Sequence, residues 1–304
     1  MDFLPGSVGG HLLPFLTPIP DPTPLPVLAK ITVQTGEARL FSEEDVQLNC
    51  SIPDDPGANW KYHWFQYGKR LKTTEVYSFK NAAVQQSGNY TCQGEKDIEA
   101  WPYSLNSLPS EPITVHVDGG WALLRVPAEP VLIEESMTLT CRVRDEPVLV
   151  DVIFYKDDVE IYKSKSKDLV FKSLTLKDQG FYSCRATWTQ RFEFHSAQSQ
   201  PAFVTVLDKL VTPVLKLEPK KSSVKRGDNV VLRCVTQLNA REKGHSIDYY
   251  FFKDEERLGP SSSHEAYTIQ RAEENDAGFY TCKVRVRTLY LEKWSDRVEL
   301  RVRK

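Results

Sequence analysis

The chain has 304 residues with a formal net charge of −2, and 40% of the residues are hydrophobic and 26% charged. This length suggests two or three domains, and the composition excludes a disordered or collagen-like chain. The balanced charge argues against a generally basic nucleic-acid binder, and the sequence has no run of about 18 apolar residues that would span a membrane.

The chain begins with a proline-rich segment over residues 1–29, which contains seven prolines, the last of them Pro26. This density opposes helix formation because each proline fixes its own backbone and lacks an amide donor. We expect the segment to be extended and disordered.

Six cysteines follow in three regularly spaced pairs. The members of successive pairs are separated by 42, 43 and 48 residues, and the pairs recur about every ninety residues, which indicates an internal repeat. Apolar residues alternate before the first cysteine of each pair, a pattern typical of a strand with one buried face. We expect the disulfides Cys50–Cys92, Cys141–Cys184 and Cys234–Cys282.

Two further markers recur around each pair of cysteines. A tyrosine stands two residues before each second cysteine, in the position of a tyrosine corner, and a large aromatic residue follows each first cysteine in the position that packs on an inter-sheet disulfide. The tyrosines are Tyr90, Tyr182 and Tyr280, and the large aromatic residues are Trp64, Phe154 and Phe251.

Together these patterns predict an all-β protein of three tandem C2-type immunoglobulin-like β-sandwiches. We expect the first over residues 30–118, the second over 119–209 and the third over 210–304. Disulfides of this kind persist in oxidising compartments, so the sequence predicts an extracellular protein, either secreted or displayed on a cell surface.

The sequence offers no chemistry for catalysis. The cysteines are used in bridges and lack the Cys-x-x-Cys spacing of zinc sites, the six histidines show no metal-ligand spacing, and no phosphate-binding loop or nucleophile elbow is present. We therefore expect no enzyme activity, no cofactor and no metal site.

Two short motifs concern modification and adhesion. In Asn89-Tyr90-Thr91 the strand alternation points Asn89 outward, so we expect glycosylation there, whereas the sequon at Asn49 adjoins a disulfide cysteine and is not expected to be used. The integrin-type tripeptide Arg226-Gly227-Asp228 falls in the turn before a predicted strand, where a structural role is favoured over integrin binding.

The segment 117–125 reads Val-Asp-Gly-Gly-Trp-Ala-Leu-Leu-Arg. It is similar to the junction between the first two domains of the Fc receptors and Fc receptor-like proteins of leukocytes, a family that residues 31–304 resemble. The runs 152–157, Val-Ile-Phe-Tyr-Lys-Asp, and 261–269, Ser-Ser-Ser-His-Glu-Ala-Tyr-Thr-Ile, are similar to segments of its second and third domains, the latter as in the high-affinity IgG receptor.

The resemblance implies a ligand site on the second domain. In the family, a proline of the immunoglobulin Fc inserts between two tryptophans, one from the junction and one from the first loop of the second domain. Trp121 matches the first position, but Arg144 stands at the second. Arginine can stack through its planar guanidinium, although it does not reproduce the pair of tryptophans.

The remaining contact segments implied by the resemblance contain Tyr162 and the last hairpin of the second domain, with Trp188, Arg191 and Phe192. Trp and Arg dominate interface energetics. The alternative role for Trp121 and Trp188 is packing between domains. We expect Trp188 to be an exposed anchor, whose replacement weakens binding and leaves the melting temperature nearly unchanged. We also expect all of these contact residues to lie at one end of the second domain.

Two functions remain open at this point. The first is an immune receptor ectodomain, or soluble receptor, that binds immunoglobulin Fc or a related immune protein, with a membrane anchor or signalling subunit outside this chain. The second is a cell-adhesion module of the immunoglobulin superfamily with homophilic or integrin-type contacts. Trp121 beside the two glycines of the junction favours the first.

Overall fold

The computed structural model describes residues 27–57, 59–99, 104–220, 223–242 and 244–303. The prediction for the proline-rich segment therefore lies, up to residue 26, outside the described residues. The chain divides into two compact units, one ending at Val117 and the other beginning at Asp118. Within the described ranges the regular structure consists of β-strands and four short 3-10 helices, which confirms the predicted all-β class.

The first unit is a two-sheet sandwich. Its inner positions follow from the alternation seen in the sequence, because Val46, Leu48 and Cys50 point into the core while the residues between them lie nearer solvent. One sheet has the strand order β1-β3-β6 and the other β2-β9-β7-β4-β5, with β8 paired to β7. The strands are β1 Lys30–Thr35, β2 Arg39–Phe41, β3 Val46–Ser51, β4 Lys61–Gln66, β5 Lys69–Thr73, β6 Val76–Phe79, β7 Gly88–Asp97, β8 Ser104–Asn106 and β9 Ile113–Asp118, with a 3-10 helix at Val84–Gln86.

The second sandwich opens the second unit. One sheet has the order β10-β12-β15 and the other β14-β13-β16-β17, with β18 paired to β16, and β11 pairs in parallel with β19. The strands are β10 Ala122–Arg125, β11 Val131–Leu132, β12 Met137–Val143, β13 Leu149–Lys156, β14 Val159–Ser164, β15 Asp168–Phe171, β16 Gly180–Gln190, β17 Glu193–Gln198, β18 Ala202–Val204 and β19 Val206–Leu207, with a 3-10 helix at Leu176–Asp178.

The third sandwich repeats the plan of the second. One sheet has the order β20-β22-β25 and the other β21-β28-β26-β23-β24, with β27 paired to β26. The strands are β20 Val214–Glu218, β21 Ser223–Lys225, β22 Val230–Val235, β23 Asp248–Lys253, β24 Glu256–Arg257, β25 Ala266–Ile269, β26 Gly278–Val286, β27 Leu291–Trp294 and β28 Val298–Arg303, with 3-10 helices at Glu274–Asp276 and Arg287–Leu289.

A disulfide joins the two sheets of each sandwich, and the three pairs are those predicted. The Cα atoms of the bridged cysteines lie 6.2, 6.0 and 6.1 Å apart in chain order, within the range that a disulfide spans. The large aromatic residues predicted to pack in the cores, Trp64, Phe154 and Phe251, are buried. Each sandwich is therefore organised around one bridge and one large ring.

The tyrosine corner is formed in all three sandwiches. The hydroxyl of Tyr182 donates to the carbonyl of Asp178 at 2.6 Å, and those of Tyr90 and Tyr280 donate to the carbonyls four residues earlier at 2.7 and 2.6 Å. Burial raises the pKa of Tyr90 and of Tyr182 to about 12, because desolvation disfavours the phenolate. These phenols remain neutral donors at physiological pH.

Polar contacts connect the second and third sandwiches inside the second unit. The guanidinium of Arg241 donates to both carboxylate oxygens of Glu135, at 2.9 and 2.7 Å, and to the carbonyl of Pro130 at 2.8 Å. The ammonium of Lys293 pairs with the carboxylate of Asp208, and the side-chain amide of Asn239 donates to the carbonyl of Asp208 at 2.8 Å. A bidentate arginine fixes both distance and direction, so these contacts set how the two sandwiches meet.

We expect acid to weaken this junction. The hydrogen bond from Arg241 lowers the pKa of Glu135 to about 2. The ionised carboxylate therefore stabilises the folded protein fully above the ordinary pKa of a glutamate, and this stabilisation is lost as pH falls from about 4.5 toward 2. Thermal unfolding at pH 7, 5 and 3 should show a loss of Tm at low pH that is smaller in Glu135→Gln. Glu146→Gln, at an exposed carboxyl of the same sandwich, is the control, and identical pH dependence in all three proteins would contradict this account.

Candidate binding site on the second sandwich

Trp121 lies immediately before β10, and its side chain is 51% exposed. One side of the indole packs against Trp188 of β16, with ring centroids 6.3 Å apart and planes inclined by 29°. The rest of the ring remains in contact with solvent. Trp121 is thus held in place by a neighbouring ring and still presents apolar surface to a ligand.

The expectation that Trp188 is an exposed anchor is wrong. Its side chain is only 4% exposed and belongs to the core of the second sandwich. The reason is the alternation along β16, in which Tyr182, Cys184 and Ala186 also point inward. Trp188 therefore supports the site from below, and its replacement will lower stability rather than leave it unchanged.

Sequence reasoning missed His195, which contacts Trp188 from the neighbouring strand. Its ring lies 5.8 Å from that of Trp188 with an angle of 22° between the planes, and the two residues face each other in the β16–β17 register. The sequence could have identified this contact, because a two-residue turn at Arg191 and Phe192 fixes the pairing of Trp188 with His195 across the hairpin.

Arg144 lies in the turn after β12 and holds the backbone in front of Trp121. Its Nε donates to the carbonyl of Gly120 at 2.6 Å, and its Nη2 donates to the carbonyl of Asp118 at 3.0 Å. The amide of Arg144 donates to the carbonyl of Trp121 at 3.1 Å. Arginine at this position therefore positions the segment that carries Trp121.

The β16–β17 hairpin projects Arg191 and Phe192 at its tip. Both residues are exposed, Phe192 completely so, and Phe194 on β17 is largely exposed as well. The φ angles of Arg191 and Phe192 are 50° and 66°, the left-handed pair that a tight two-residue hairpin turn requires. This backbone region is unfavourable for residues other than Gly, Asn and Asp.

Exposed aromatic residues adopt the left-handed conformation elsewhere in the chain, at Tyr67 and Tyr290, but the β13–β14 turn of the same sandwich carries different residues. The equivalent left-handed pair after β13 is Asp157 and Asp158, with φ of 48° and 64°, and Asp157 also accepts a hydrogen bond from the amide of Phe181 at 2.9 Å. Aspartate tolerates this conformation far better than phenylalanine does. The hairpin tip thus accepts backbone strain and solvent exposure of an aromatic ring, a combination that occurs at functional sites.

Tyr162 does not join this group. It lies on β14, the edge strand opposite β17, and pairs with Phe154, which in turn faces Cys184 rather than Trp188. Two strands separate it from the hairpin, on the order of 14 Å at the usual strand spacing. The expectation that all of the contact residues share one end of the domain is therefore wrong for Tyr162, although its ring is exposed.

The glycosylation sequon at Asn89 and the Arg-Gly-Asp tripeptide both make local hydrogen bonds. Asn89 is exposed on β7, and its side-chain oxygen accepts a hydrogen bond from Thr114 at 2.7 Å. The carboxylate of Asp228 accepts from the amide of Lys225 at 2.9 Å and closes the turn before β22. This contact supports the structural reading of the Arg-Gly-Asp tripeptide.

Trp121 and the hairpin tip both expose residues of types suited to binding a protein. Aromatic rings and arginine bury large area at low entropic cost, and they are the residues that most often carry interface energy. Among the described residues, no group of His, Cys, Asp and Glu is arranged to hold a metal ion. In the same part of the chain, no helix is long and apolar enough to cross a membrane.

The family model for the immunoglobulin domain matches the chain three times, over residues 26–117, 121–206 and 212–302. The chain therefore belongs to the immunoglobulin-domain family. The relatives that it matches include Fc receptor-like proteins, which confirms the resemblance found in the sequence.

Three relatives illustrate this relation. Fc receptor-like A of Rattus norvegicus is 27% identical over 69% of this chain and 59% of its own length. Fc receptor-like protein 5 of Homo sapiens is 26% identical over 86% of this chain and 25% of its own length, and human Fc receptor-like protein 6 is 29% identical over 60% and 42%. The chain thus spans between a quarter and three fifths of these relatives.

Two solved structures show a low level of overall similarity to this chain. The second Ig-C2 domain of human Fc receptor-like A is 22% identical over 31% of this chain and 98% of that chain, with a TM-score of 0.26. Murine CEACAM1b is 19% identical over 60% of this chain and all of that chain, with a TM-score of 0.27.

The immunoglobulin domains and the similarity to Fc receptor-like proteins support an immune receptor ectodomain. Three disulfide-bonded immunoglobulin domains are consistent with an extracellular location. Membership of this family also fits a receptor rather than an enzyme.

Proposed function

We propose that this ectodomain binds immunoglobulin Fc, or a related immune protein ligand, through the end of its second domain that carries Trp121 and the hairpin tip. The observation that supports this most is the fully exposed Phe192 beside Arg191, both held in the left-handed conformation. An exposed aromatic ring on a strained turn lowers the free energy of unfolding, and a ligand that buries the ring offsets this loss through its binding free energy.

Trp121 extends the same surface. Its indole rests on Trp188, and Arg144 fixes the backbone on either side of Gly120. The anchor is thus organised before a ligand arrives, which reduces the entropy lost on binding. The exposed half of the ring suits an apolar or proline side chain.

A binding screen tests the proposal. The full chain is immobilised, and immunoglobulins of each isotype, together with their Fc fragments, are passed over it. We expect saturable binding of at least one Fc, weakened by Trp121→Ala and unaffected by Tyr162→Ala, which changes an exposed ring on the opposite sheet edge.

Two results would count against the proposal. One is the absence of binding to every immunoglobulin tested while the chain associates with itself in a concentration-dependent manner, which favours the adhesion function. The other is an Fc that binds the Trp121→Ala and Tyr162→Ala variants as tightly as the unaltered chain, which places the contact elsewhere.

A further inference from the structure

The third sandwich carries a pocket on the outer face of its larger sheet. The pocket has a volume of about 500 Å³, and its walls include Phe252 of β23, Phe279 of β26 and Trp294 of β27. Phe279 and Trp294 are each about half exposed, at 49% and 47%, and the ring centroids of Phe252 and Trp294 are 4.7 Å apart. Three aromatic rings therefore line one concave surface.

Acidic groups surround these rings. Asp254, Glu255 and Asp296 line the pocket together with one cation, Arg297. Arg297 donates to Glu255 at 2.7 Å, and Asp254 accepts from the amide of Phe279 at 2.9 Å. Asp296 is exposed and has no hydrogen bond or ion pair from its carboxylate to another described residue. The net charge of the lining is negative, and one carboxylate remains available to a ligand.

The three sandwiches show that the fold itself does not require this arrangement. In each, a serine oxygen accepts the amide of the second disulfide cysteine, and the serines are Ser110, Ser199 and Ser295. In the third sandwich the neighbours of this serine are Trp294 and Asp296. In the second they are Gln198 and Gln200, and in the first they are Pro109 and Glu111. The combination of tryptophan and aspartate thus belongs to the third sandwich alone.

The same sheet face already places cations over aromatic rings. The ammonium of Lys283 lies 5.4 Å from the ring centroid of Trp294, and the guanidinium of Arg257 lies 4.8 Å from that of Tyr250. The face of an aromatic ring attracts a cation, and the attraction grows when the cation is shielded from water. This part of the molecule is therefore chemically suited to a positively charged group.

We propose that the pocket binds an arginine side chain presented by a protein partner. The guanidinium plane stacks on Phe279 and beside the part of Trp294 that Lys283 and Phe252 leave exposed, and its donors reach the carboxylate of Asp296. Arginine stacks on aromatic rings and at the same time donates charge-assisted hydrogen bonds to a carboxylate, which a neutral side chain cannot match in charge. This site is separate from the one on the second domain and does not depend on Fc binding.

The test uses the full chain labelled with 15N at tryptophan, with the indole signal of Trp294 assigned from Trp294→Phe. N-acetyl-arginine amide and its neutral isostere N-acetyl-citrulline amide are titrated in turn. We expect the arginine probe to shift this signal saturably and to bind about fivefold or more tightly than the citrulline probe.

Variants locate the binding. Asp296→Asn keeps the size of the side chain and removes its charge, so it should weaken the arginine probe about fivefold. Asp158→Asn, at an exposed carboxyl of the second sandwich, is the matched control and should leave the affinity unchanged. Thermal unfolding of both variants shows whether the fold is retained.

Three results would overturn the proposal. Equal affinity for the arginine and citrulline probes would show that the pocket does not recognise positive charge. If Asp296→Asn leaves the affinity for the arginine probe unchanged, the guanidinium binds away from Asp296. Self-association of the chain that is lost in Trp294→Gln, with no response to the arginine probe, would make the pocket a contact between copies of the chain.

Discussion

Trp188→Ala should destabilise the second sandwich by about 3–5 kcal/mol, the range found when a buried aromatic side chain is truncated in a core. The indole is almost fully buried among core residues and supports the rings of both Trp121 and His195. A loss of this size lowers the Tm of a domain of about a hundred residues by more than about 10 °C. Calorimetry of the full chain should show the transition of the second sandwich moving while that of the first stays in place.

Trp121→Ala provides the matched control for this prediction. It removes the same type of side chain from a position that is half exposed. This change therefore removes about half as much buried apolar area as Trp188→Ala, and it should destabilise the domain clearly less. If the free energy of unfolding of Trp188→Ala lies within about 1 kcal/mol of that of the unaltered chain, then Trp188 is not a core residue and the interpretation of the site is wrong.

Phe192→Ala should lower affinity for the Fc ligand by about 2 kcal/mol or more, which corresponds to roughly thirtyfold in Kd. Phe192 contacts little in the free protein because its ring is fully exposed, so stability should be unchanged. Arg191→Ala should weaken binding in the same direction. Affinities measured by surface plasmon resonance, together with thermal unfolding of each variant, test both expectations.

A double variant separates binding from folding at this turn. Replacing Arg191 and Phe192 by Asn and Gly introduces the residues that a two-residue hairpin turn prefers, so Tm should rise while binding is lost. Phe203→Ala is the control, since Phe203 is a half-exposed ring of the same domain on β18, away from the hairpin. If the double variant and Phe203→Ala bind equally well, the hairpin tip is not the contact.

The fold could be predicted from the sequence because its signals are local and repeated. Cysteine spacing, alternation such as Val46, Leu48 and Cys50, and a tyrosine two residues before each second cysteine each report on one strand or turn. Their threefold recurrence made a chance match improbable. The disulfide pairs and the buried aromatic residues followed directly.

The site was harder to predict because it depends on which face of a strand a side chain occupies. The alternation through Tyr182 and Cys184 places Trp188 in the core, but the presence of nearby aromatic and basic residues suggested a surface loop. Tyr162 was misplaced for a different reason. Its distance from the hairpin is set by the order of strands in the sheet, and strand order is a non-local property that short motifs do not contain.

The junction between the second and third sandwiches has a consequence for how the ectodomain responds to its surroundings. The contacts described for it are ion pairs and hydrogen bonds of Arg241 and Lys293, and these side chains are partly open to solvent. Attractions of this kind are screened by dissolved ions, over about 10 Å at 0.1 M salt. Rising ionic strength should therefore widen the range of angles between these two domains, while each domain keeps its own core intact.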